Sequence, residues 1–280
     1  MNIKILSDST CDLSQAILNE NNITLIPLTV IMDDKEYKDG VSITPATIFD
    51  HVAAGGDLCS TSANSVGEYE DWFGKYASDY EGVLHINIGS GFSSCFQNAC
   101  IAAQEFDNVA VVDSMNLSTG QGLVVLEACR LAKECASLEE LREKVQAFTS
   151  RVEASFLVDK LNYLVKGGRC SAATALGANL LNLKPCIDVK DGKMGVSKKY
   201  RGKYGKCLAT YVQERLAERD DIRRDVLFVT KTSVSEEEYA AVMEAVKEYG
   251  HFDTVYETLA GCTVSCHCGP GTLGVLFVRK

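Results

Sequence analysis

The 280-residue chain lacks any apolar run close to the roughly 18 residues that a membrane-spanning helix needs. Its first residues, MNIKILSDST, bring in acidic and hydroxyl side chains too early for the apolar core of a signal peptide. A basic excess is also missing, because 28 lysines and arginines stand against 38 aspartates and glutamates. The resulting formal charge of -10 argues against a nucleic-acid partner. We therefore expect a cytoplasmic protein that makes at most transient contact with a membrane.

Cysteine is abundant, but no Cys-x-x-Cys pair occurs that would indicate a redox or zinc motif. Because nothing directs export, the twelve cysteines are expected to be reduced thiols that act as small buried apolar side chains. Internal repeats and low-complexity linkers are absent as well. The length of the chain suits one large domain or two smaller ones.

Strand-like and helix-like segments alternate in the N-terminal half. Apolar strands are predicted at 3–10, 82–88 and 108–114, each followed by a helix-like stretch, and Asp12 is predicted to cap the first helix. This alternation is typical of a parallel sheet covered by helices on both faces, a three-layer arrangement. Residues 23–40 interrupt it with alternating polarity and a DDK turn, so we expect a hairpin excursion there.

Strands follow one another with less helix between them in the C-terminal half. A hairpin is predicted to turn at Asp191-Gly192, and the segment CTVSCHCG (262–269) is expected to be a strand, like the end of the chain. We predict two domains, an α/β domain in residues 1–150 and an α+β domain in residues 151–280. A ligand is expected at the seam between them.

The stretch SCHCGPGTLG (265–274) contains the spelling of two chemical motifs. If this region is extended, the side chains of Cys262, Cys266 and Cys268 face away from His267, which disfavours a metal site. Buried cysteines are the favoured interpretation, and a metal-dependent redox sensor remains a minor alternative. The G-x-G-x-x-G spelling is not followed by the helix that dinucleotide binding requires.

The segment GSGFSS (89–94) is a better candidate for a ligand site. It follows a predicted buried strand and precedes a predicted helix, where free N–H groups and the helix dipole favour an anion. The hydroxyl-rich segments at 7–10, 60–65 and 113–120 are expected at the same edge, because ligands bind at the carboxyl ends of strands in open α/β sheets. Hydroxyl and amide donors favour a carboxylate or phosphate ligand.

An enzyme remains a second possibility. Ser93 and His267 could serve a serine hydrolase, or the same region could serve a kinase that acts on a small anionic substrate. However, Ser93 does not stand at the serine of a G-x-S-x-G nucleophile elbow, and the sequence places no acid against His267. A serine that donates hydrogen bonds is therefore favoured over a nucleophile.

A set of ordered motifs resembles the DegV family of bacterial fatty-acid-binding proteins, some of which are the acyl-carrying subunit of a fatty acid kinase. Together the motifs span nearly the whole chain. They are DSTCDL (8–13), TSANS (61–65), GSGFSSCFQNA (89–99), VVDS (111–114), LNYLVKGGRCS (161–171), KP (184–185) and HCGPGTLG (267–274).

The resemblance implies two α/β-type domains that enclose one long-chain fatty acid, with no other cofactor and no metal. Thr61 and Ser93 would bind the carboxylate, with His267 close to it, and Ser94 could add a donor or narrow the site. Two departures from the family pattern stand out. TSANS replaces the more usual Thr-Ser-Gln-Pro-Ser, and Ser94 stands where glycine is common.

The resemblance also implies a partner. Arg169 and Arg201 match family arginines linked to the mouth of the cavity and to phosphoryl transfer. A separate ATP-dependent kinase with a dihydroxyacetone-kinase-like domain would convert the bound acid to an acyl phosphate. The protein itself would then be a lipid-binding carrier in phospholipid metabolism, without catalysis of its own.

Overall fold

The computed structural model describes residues 1–175 and 183–280. Its strands are β1 (Ile3–Asp8), β2 (Thr24–Ile26), β3 (Thr29–Met32), β4 (Lys35–Lys38), β5 (Ser60–Ser62), β6 (Gly82–Asn87), β7 (Val109–Asp113), β8 (Val152–Val158), β9 (Leu183–Lys190), β10 (Lys193–Arg201), β11 (Ile222–Lys231), β12 (Thr254–Leu259) and β13 (Thr272–Arg279). Its helices are α1 (Gln15–Glu20), α2 (Pro45–Ala53), α3 (Val66–Ala77), α4 (Cys95–Ala102), α5 (Ser118–Leu131), α6 (Leu138–Phe148), α7 (Asn162–Gly167), α8 (Ser171–Ala175), α9 (Tyr204–Leu216), α10 (Glu236–Tyr249) and α11 (Cys262–Cys268).

The N-terminal half contains a four-stranded parallel sheet in the order β2-β1-β6-β7. Every residue of β6 is buried, which explains why most of this strand is apolar in sequence. The first helix begins after Ser14, whose hydroxyl accepts the Ile17 N–H. The prediction that Asp12 caps it is wrong, because Asp12 adopts a left-handed conformation (φ 51°) and its carboxyl points to other partners.

The expected excursion in residues 23–40 forms in part. Strands β3 and β4 pair through a turn at Asp33-Asp34, where both residues have positive φ as a two-residue hairpin turn requires. Strand β5 joins them in a small antiparallel sheet in the order β4-β3-β5. Strand β2 instead belongs to the parallel sheet, at its edge.

A six-stranded mixed sheet in the order β10-β9-β8-β13-β11-β12 forms the C-terminal half. Its β9–β10 hairpin turns at Asp191-Gly192, as predicted. Helix α5 is almost entirely buried and contacts strands of both large sheets, so it joins the two halves of the molecule. The α/β fold class is therefore confirmed, with a parallel sheet followed by a mixed one. The boundary at residue 150 stays a prediction.

The segment 262–269 is not a strand, and this corrects the sequence analysis. Residues 262–268 form helix α11, which follows Gly261 and ends at Gly269 with φ 74°. Cys262 and Cys266, four residues apart, therefore share a face, as do Thr263 and His267. The alternation on which the argument against a metal rested does not exist, although the cysteines are buried as expected.

All twelve cysteines lie in the described part of the chain, and all are free thiols. Ten of them are buried, while Cys59 and Cys100 are partly exposed. Their expected role as small core side chains is confirmed. Within residues 1–175 and 183–280, no helix is long and apolar enough to cross a membrane.

Candidate functional site

A cavity of about 450 Å³ is lined by residues from both halves of the chain. Strand β5 and the loop after it form one wall, the GSGFSS loop a second, and helix α11 a third. Five of the predicted site residues reach it: Thr61, Ser93, Ser94, Arg169 and His267. The other described residues that line it are Leu28, Ser62, Ala63, Ser65, Ile88, Phe92, Asn98, Leu117, Met194, Thr263, Val264 and Cys268.

Thr61 and His267 form a direct hydrogen bond across this cavity. The distance between Thr61 Oγ1 and His267 Nε2 is 2.7 Å, although the two residues are 206 positions apart in the chain. His267 Nδ1 is buried and has no hydrogen-bond partner within the described residues. Burial, and then the charge of Arg169, lower the pKa of His267 to about 4, so its ring is neutral at physiological pH.

Gly167, in the KGGR segment, makes room for the His267 ring. A Cβ added at Gly167 would lie 2.5 Å from His267 Nδ1, closer than two such atoms approach. Arg169 follows on an exposed turn, where its guanidinium donates to the Gly167 carbonyl at 2.7 Å. The segment therefore places a small residue against the ring and a cation at the mouth of the cavity.

Two aspartates at the ends of strands β1 and β7 hold the GSGFSS loop through hydrogen bonds to its backbone and to that of Ile88 before it. Asp8 accepts the Ile88 N–H at 2.9 Å, and Asp113 accepts the Ser90 N–H at 3.0 Å. Ser93 Oγ accepts the N–H of Cys95 at 3.3 Å and donates to the thiol of the same residue at 3.1 Å. The loop thus brings Ser93 to the cavity at the start of α4.

Ser94 precedes α4 and makes no capping hydrogen bond through its side chain. It is exposed and lines the cavity, so its hydroxyl faces the same space as that of Ser93. Asn98, one turn into α4, also lines the cavity and donates through its side chain to the Asn64 carbonyl at 2.8 Å. Asn98 was not predicted from the sequence, although its place one turn after Ser94 was a usable signal.

The SDST segment (7–10) does not contribute its side chains to the cavity. Asp8 is fully buried and also accepts from the Tyr69 hydroxyl at 2.7 Å and from the Asn87 amide at 3.0 Å. His85 Nε2 lies 3.3 Å from the same carboxyl group. The segment lies at the same sheet edge as the GSGFSS loop, as expected, but its side chains support the loop from inside the fold and do not line the cavity.

Arg201 lies apart from the other predicted residues. It is exposed at the end of β10, opposite Leu183, and is not among the described residues that line the cavity. Met194, which does line the cavity, is seven residues earlier on the same strand, about 20 Å away at the usual rise per residue. The roles assigned to Arg169 and Arg201 in phosphoryl transfer stay predictions.

A second, narrow cavity of about 30 Å³ lies beside the first one. The two share the lining residues Leu117, Val264 and Cys268, which we call the collar. Beyond this collar the apolar walls are Ala154, Phe156, Val189, Ala260 and Leu276. The hydroxyl groups of Thr230, Thr232 and Thr272 also border this space, but each is bonded to the protein itself.

The arrangement of these side chains suits binding of an anion better than nucleophilic catalysis on an anionic substrate. His267 Nε2 is bonded to Thr61, and Ser93 Oγ to Cys95, so these described contacts do not form a serine–histidine pair. In the described ranges, no group of three or more histidine, cysteine, aspartate or glutamate side chains could hold a metal ion. The described lining residues offer neutral hydroxyl, amide and imidazole groups, and among them only Arg169 carries a positive charge.

Comparison with known proteins gives a consistent assignment. The chain matches the family model described as "Uncharacterised protein, DegV family" over residues 2–280. A DegV domain-containing protein of Clostridium acetobutylicum is 30% identical over 289 aligned residues, which cover 99% of each chain. A DegV domain-containing protein of Deinococcus radiodurans is 32% identical, with 98% of each chain covered.

Solved structures agree with this result. A fatty-acid-binding DegV family protein from Thermus thermophilus is 28% identical with a TM-score of 0.91, and both chains are covered in full. DegV of Bacillus subtilis, described as a fatty acid binding protein, is 26% identical with a TM-score of 0.82, again over both full chains. A stearic-acid-binding protein from Eubacterium ventriosum is 26% identical with a TM-score of 0.83, covering 99% of this chain and 98% of that one. From the match along almost its whole length, this chain belongs to the DegV family.

Proposed function

We propose that the protein binds a long-chain fatty acid, with the carboxylate in the 450 Å³ cavity and the acyl tail beyond the collar. The observation that carries this proposal is that the two cavities lie side by side and share the collar residues. The first cavity is lined by hydrogen-bonding groups that include the Thr61–His267 pair, and the second is lined mainly by apolar side chains. The fatty-acid-binding relatives in the same family support it.

The tail supplies most of the affinity. About 15 methylenes at ~0.8 kcal/mol each give a gross gain of about 12 kcal/mol, before the entropic and polar costs of binding. At about 30 Å³ the inner cavity has room for only about two water molecules. A long tail therefore enters only when the side chains around the collar move apart.

The head group must be compensated as it leaves water, because an unpaired buried carboxylate is costly. We assign this task to Thr61, Ser93, Ser94 and His267, whose side chains reach one cavity. Before the acid binds, His267 is neutral, because burial lowers its pKa to about 4, so it offers the head group a hydrogen-bonding ring. Arg169 is then the positive charge nearest the head group.

Mass spectrometry of the purified protein and its variants tests the binding. We expect a long-chain fatty acid to copurify with the natural protein, and less of it with Thr61→Ala and Ser93→Ala. Ser90→Ala is the matched control, since Ser90 is exposed in the same loop and is not among the described lining residues. A protein that contains no fatty acid would contradict the proposal. Ester hydrolysis by the isolated protein that disappears in Ser93→Ala would favour the enzyme alternative.

We further propose that the bound acid is presented to an ATP-dependent kinase with a dihydroxyacetone-kinase-like domain. The basic segment KKYRGKYGK (198–206), which contains Arg201, supports this, because Arg201 is exposed and is not among the described residues that line the cavity. Arg201→Ala should leave fatty-acid binding unchanged and impair kinase-coupled phosphorylation. Phosphorylation at the natural rate in this variant would exclude the role.

A further inference from the structure

Helix α11 is the element that brings His267 to the cavity, and it is not stable by itself. It has seven residues, far fewer than the 12 to 15 or so that an isolated helix needs. It presents Thr263 and His267, four residues apart, to the cavity. The residue before it, Gly261, has no side chain that could cap its first N–H groups.

Two buried carboxyl groups from the other end of the chain take the place of a local cap. Asp39 accepts the N–H of Cys262 at 2.8 Å and that of Thr263 at 3.1 Å. Asp12 accepts the N–H of Gly261 at 2.9 Å. Three consecutive N–H groups are thus held by residues more than 220 positions earlier in the sequence, with 223 positions between Asp39 and Cys262.

Asp39 is itself firmly placed. It is only 4% exposed, its N–H donates to the Leu28 carbonyl at 2.9 Å, and its carboxylate accepts the Ser9 hydroxyl at 3.0 Å. The same Ser9 oxygen accepts the Leu28 N–H at 3.1 Å, which closes a small buried network. Because the Asp39 carboxylate is fixed by these contacts, it also fixes the start of α11 relative to the surrounding chain.

Asp39 also links α11 to the strand that carries Thr61. It directly follows β4, and β4 pairs with β3, whose Val30 lies opposite Thr61 of β5. The small three-stranded sheet therefore fixes α11 at both ends. Asp39 holds its N-terminus, and Thr61 holds His267 near its C-terminus through the 2.7 Å hydrogen bond.

We propose that Asp39 is a positioning residue for the head group, because it holds α11 in the one placement in which His267 meets Thr61. Asp39 does not line the cavity, so it acts through the helix rather than on the ligand. This inference rests on the proposed function, since it concerns how that carboxylate site is built. A cap that served stability alone would affect every ligand equally, and this difference can be measured.

The test compares two ligands that share one tail. Oleic acid and oleyl alcohol are titrated calorimetrically into delipidated protein, and the ratio of their affinities reports on the head-group contacts. We expect Asp39→Ala to weaken oleic acid binding by about tenfold, the equivalent of one charge-assisted hydrogen bond, and to leave oleyl alcohol nearly unchanged. Asp39→Asn should fall between, because its amide oxygen still accepts one of the two N–H groups.

Asp50→Ala is the matched control, since Asp50 is an exposed carboxylate on the neighbouring helix α2. Asp39 also borders an outer cleft of about 710 Å³, from which water can reach the freed N–H groups, so we expect Asp39→Ala to fold. The imidazole NMR signals of His267 should shift in Asp39→Ala and stay in place in Asp50→Ala.

Two results would overturn the inference. The first is that the ratio of the affinities for oleic acid and oleyl alcohol in Asp39→Asn, and in Asp39→Ala if it folds, equals that of the natural protein. The other is an equal loss of both ligands, which would mean that Asp39 only stabilises the fold. If the natural protein binds neither oleic acid nor any copurified acid, the proposed function itself fails, and that outcome is distinct from both.

Discussion

Gly167 offers the sharpest test of the head-group geometry. It is the last residue of α7, its φ is not in the left-handed region, and its Cα faces the His267 ring. An alanine Cβ there would lie 2.5 Å from Nδ1 and 3.4 Å from Cγ of that ring. Because the ring is half-buried, with its Nδ1 atom fully buried, and is bonded to Thr61, we expect it to make room by leaving that hydrogen bond.

The expected size of the effect follows from two opposing terms. Loss of the Thr61–His267 hydrogen bond costs about 0.5–1.5 kcal/mol, and alanine in place of glycine in a helix returns up to about 1 kcal/mol. The stability of Gly167→Ala should therefore stay close to that of the natural protein. Its affinity for a long-chain fatty acid should fall by about three- to tenfold, because the displaced ring no longer meets the carboxylate.

The neighbouring glycine provides the control. Gly168 has φ 69° and nothing within 4 Å of an added Cβ, so Gly168→Ala strains only the backbone, by roughly 1–2 kcal/mol. Chemical denaturation and calorimetric titration should thus separate the pair: Gly167→Ala loses affinity and keeps stability, and Gly168→Ala does the reverse. Natural affinity in Gly167→Ala would refute the geometry described for His267.

Three further predictions concern buried groups. Burial lowers the pKa of His267 from 6.5 to about 4, so the stability that the neutral ring contributes is complete above about pH 6.5 and should be lost as the pH falls toward 4. Denaturation measured at several pH values should show this decline in unfolding free energy, and His267→Gln should remove it. Burial raises the pKa of Asp12 from 3.8 to about 8, so the unfolding free energy should decline as the pH rises through that range, the reverse of the dependence expected for His267. Asp12→Asn should flatten this decline, and an unchanged pH dependence in this variant would contradict the prediction. Val264→Phe should fill the collar, which would weaken palmitate binding by about tenfold or more and leave hexanoate binding unchanged in the same titration.

The regular parts of the fold were accessible from sequence because their signals are local. The Asp191-Gly192 turn, with φ of 51° and 69°, needs residues that tolerate positive φ, and those residues mark it. Strand β6 is buried along its full length, and its sequence GVLHIN is mainly apolar, interrupted by the buried polar residues His85 and Asn87. The prediction for Asp12 was wrong because an aspartate just before a helix is typical of an N-cap, whereas the buried Asp12 side chain accepts hydrogen bonds from Ser118 and Gly261 instead.

The candidate site was accessible only in part, for a related reason. Ser93 and Ser94 stand in a strand–loop–helix context that indicates an anion site locally. The Thr61–His267 contact joins residues 206 positions apart, and no spacing rule reveals such a pair. The collar formed by Leu117, Val264 and Cys268 was missed for the same reason, since each of these residues reads simply as core.

Helix α11 shows most clearly why local sequence is insufficient here. Thr263 and Val264 are β-branched and favour a strand, and the segment is too short for helix propensity to decide. What decides is the set of N–H groups at its start, which find carboxyl partners on Asp12 and Asp39 only after the N-terminal half has folded. The position of His267 is therefore a property of the assembled molecule. It follows that substitutions outside the cavity, at the buried carboxyl groups of Asp12 and Asp39 that hold this helix, should alter head-group recognition as strongly as substitutions inside it.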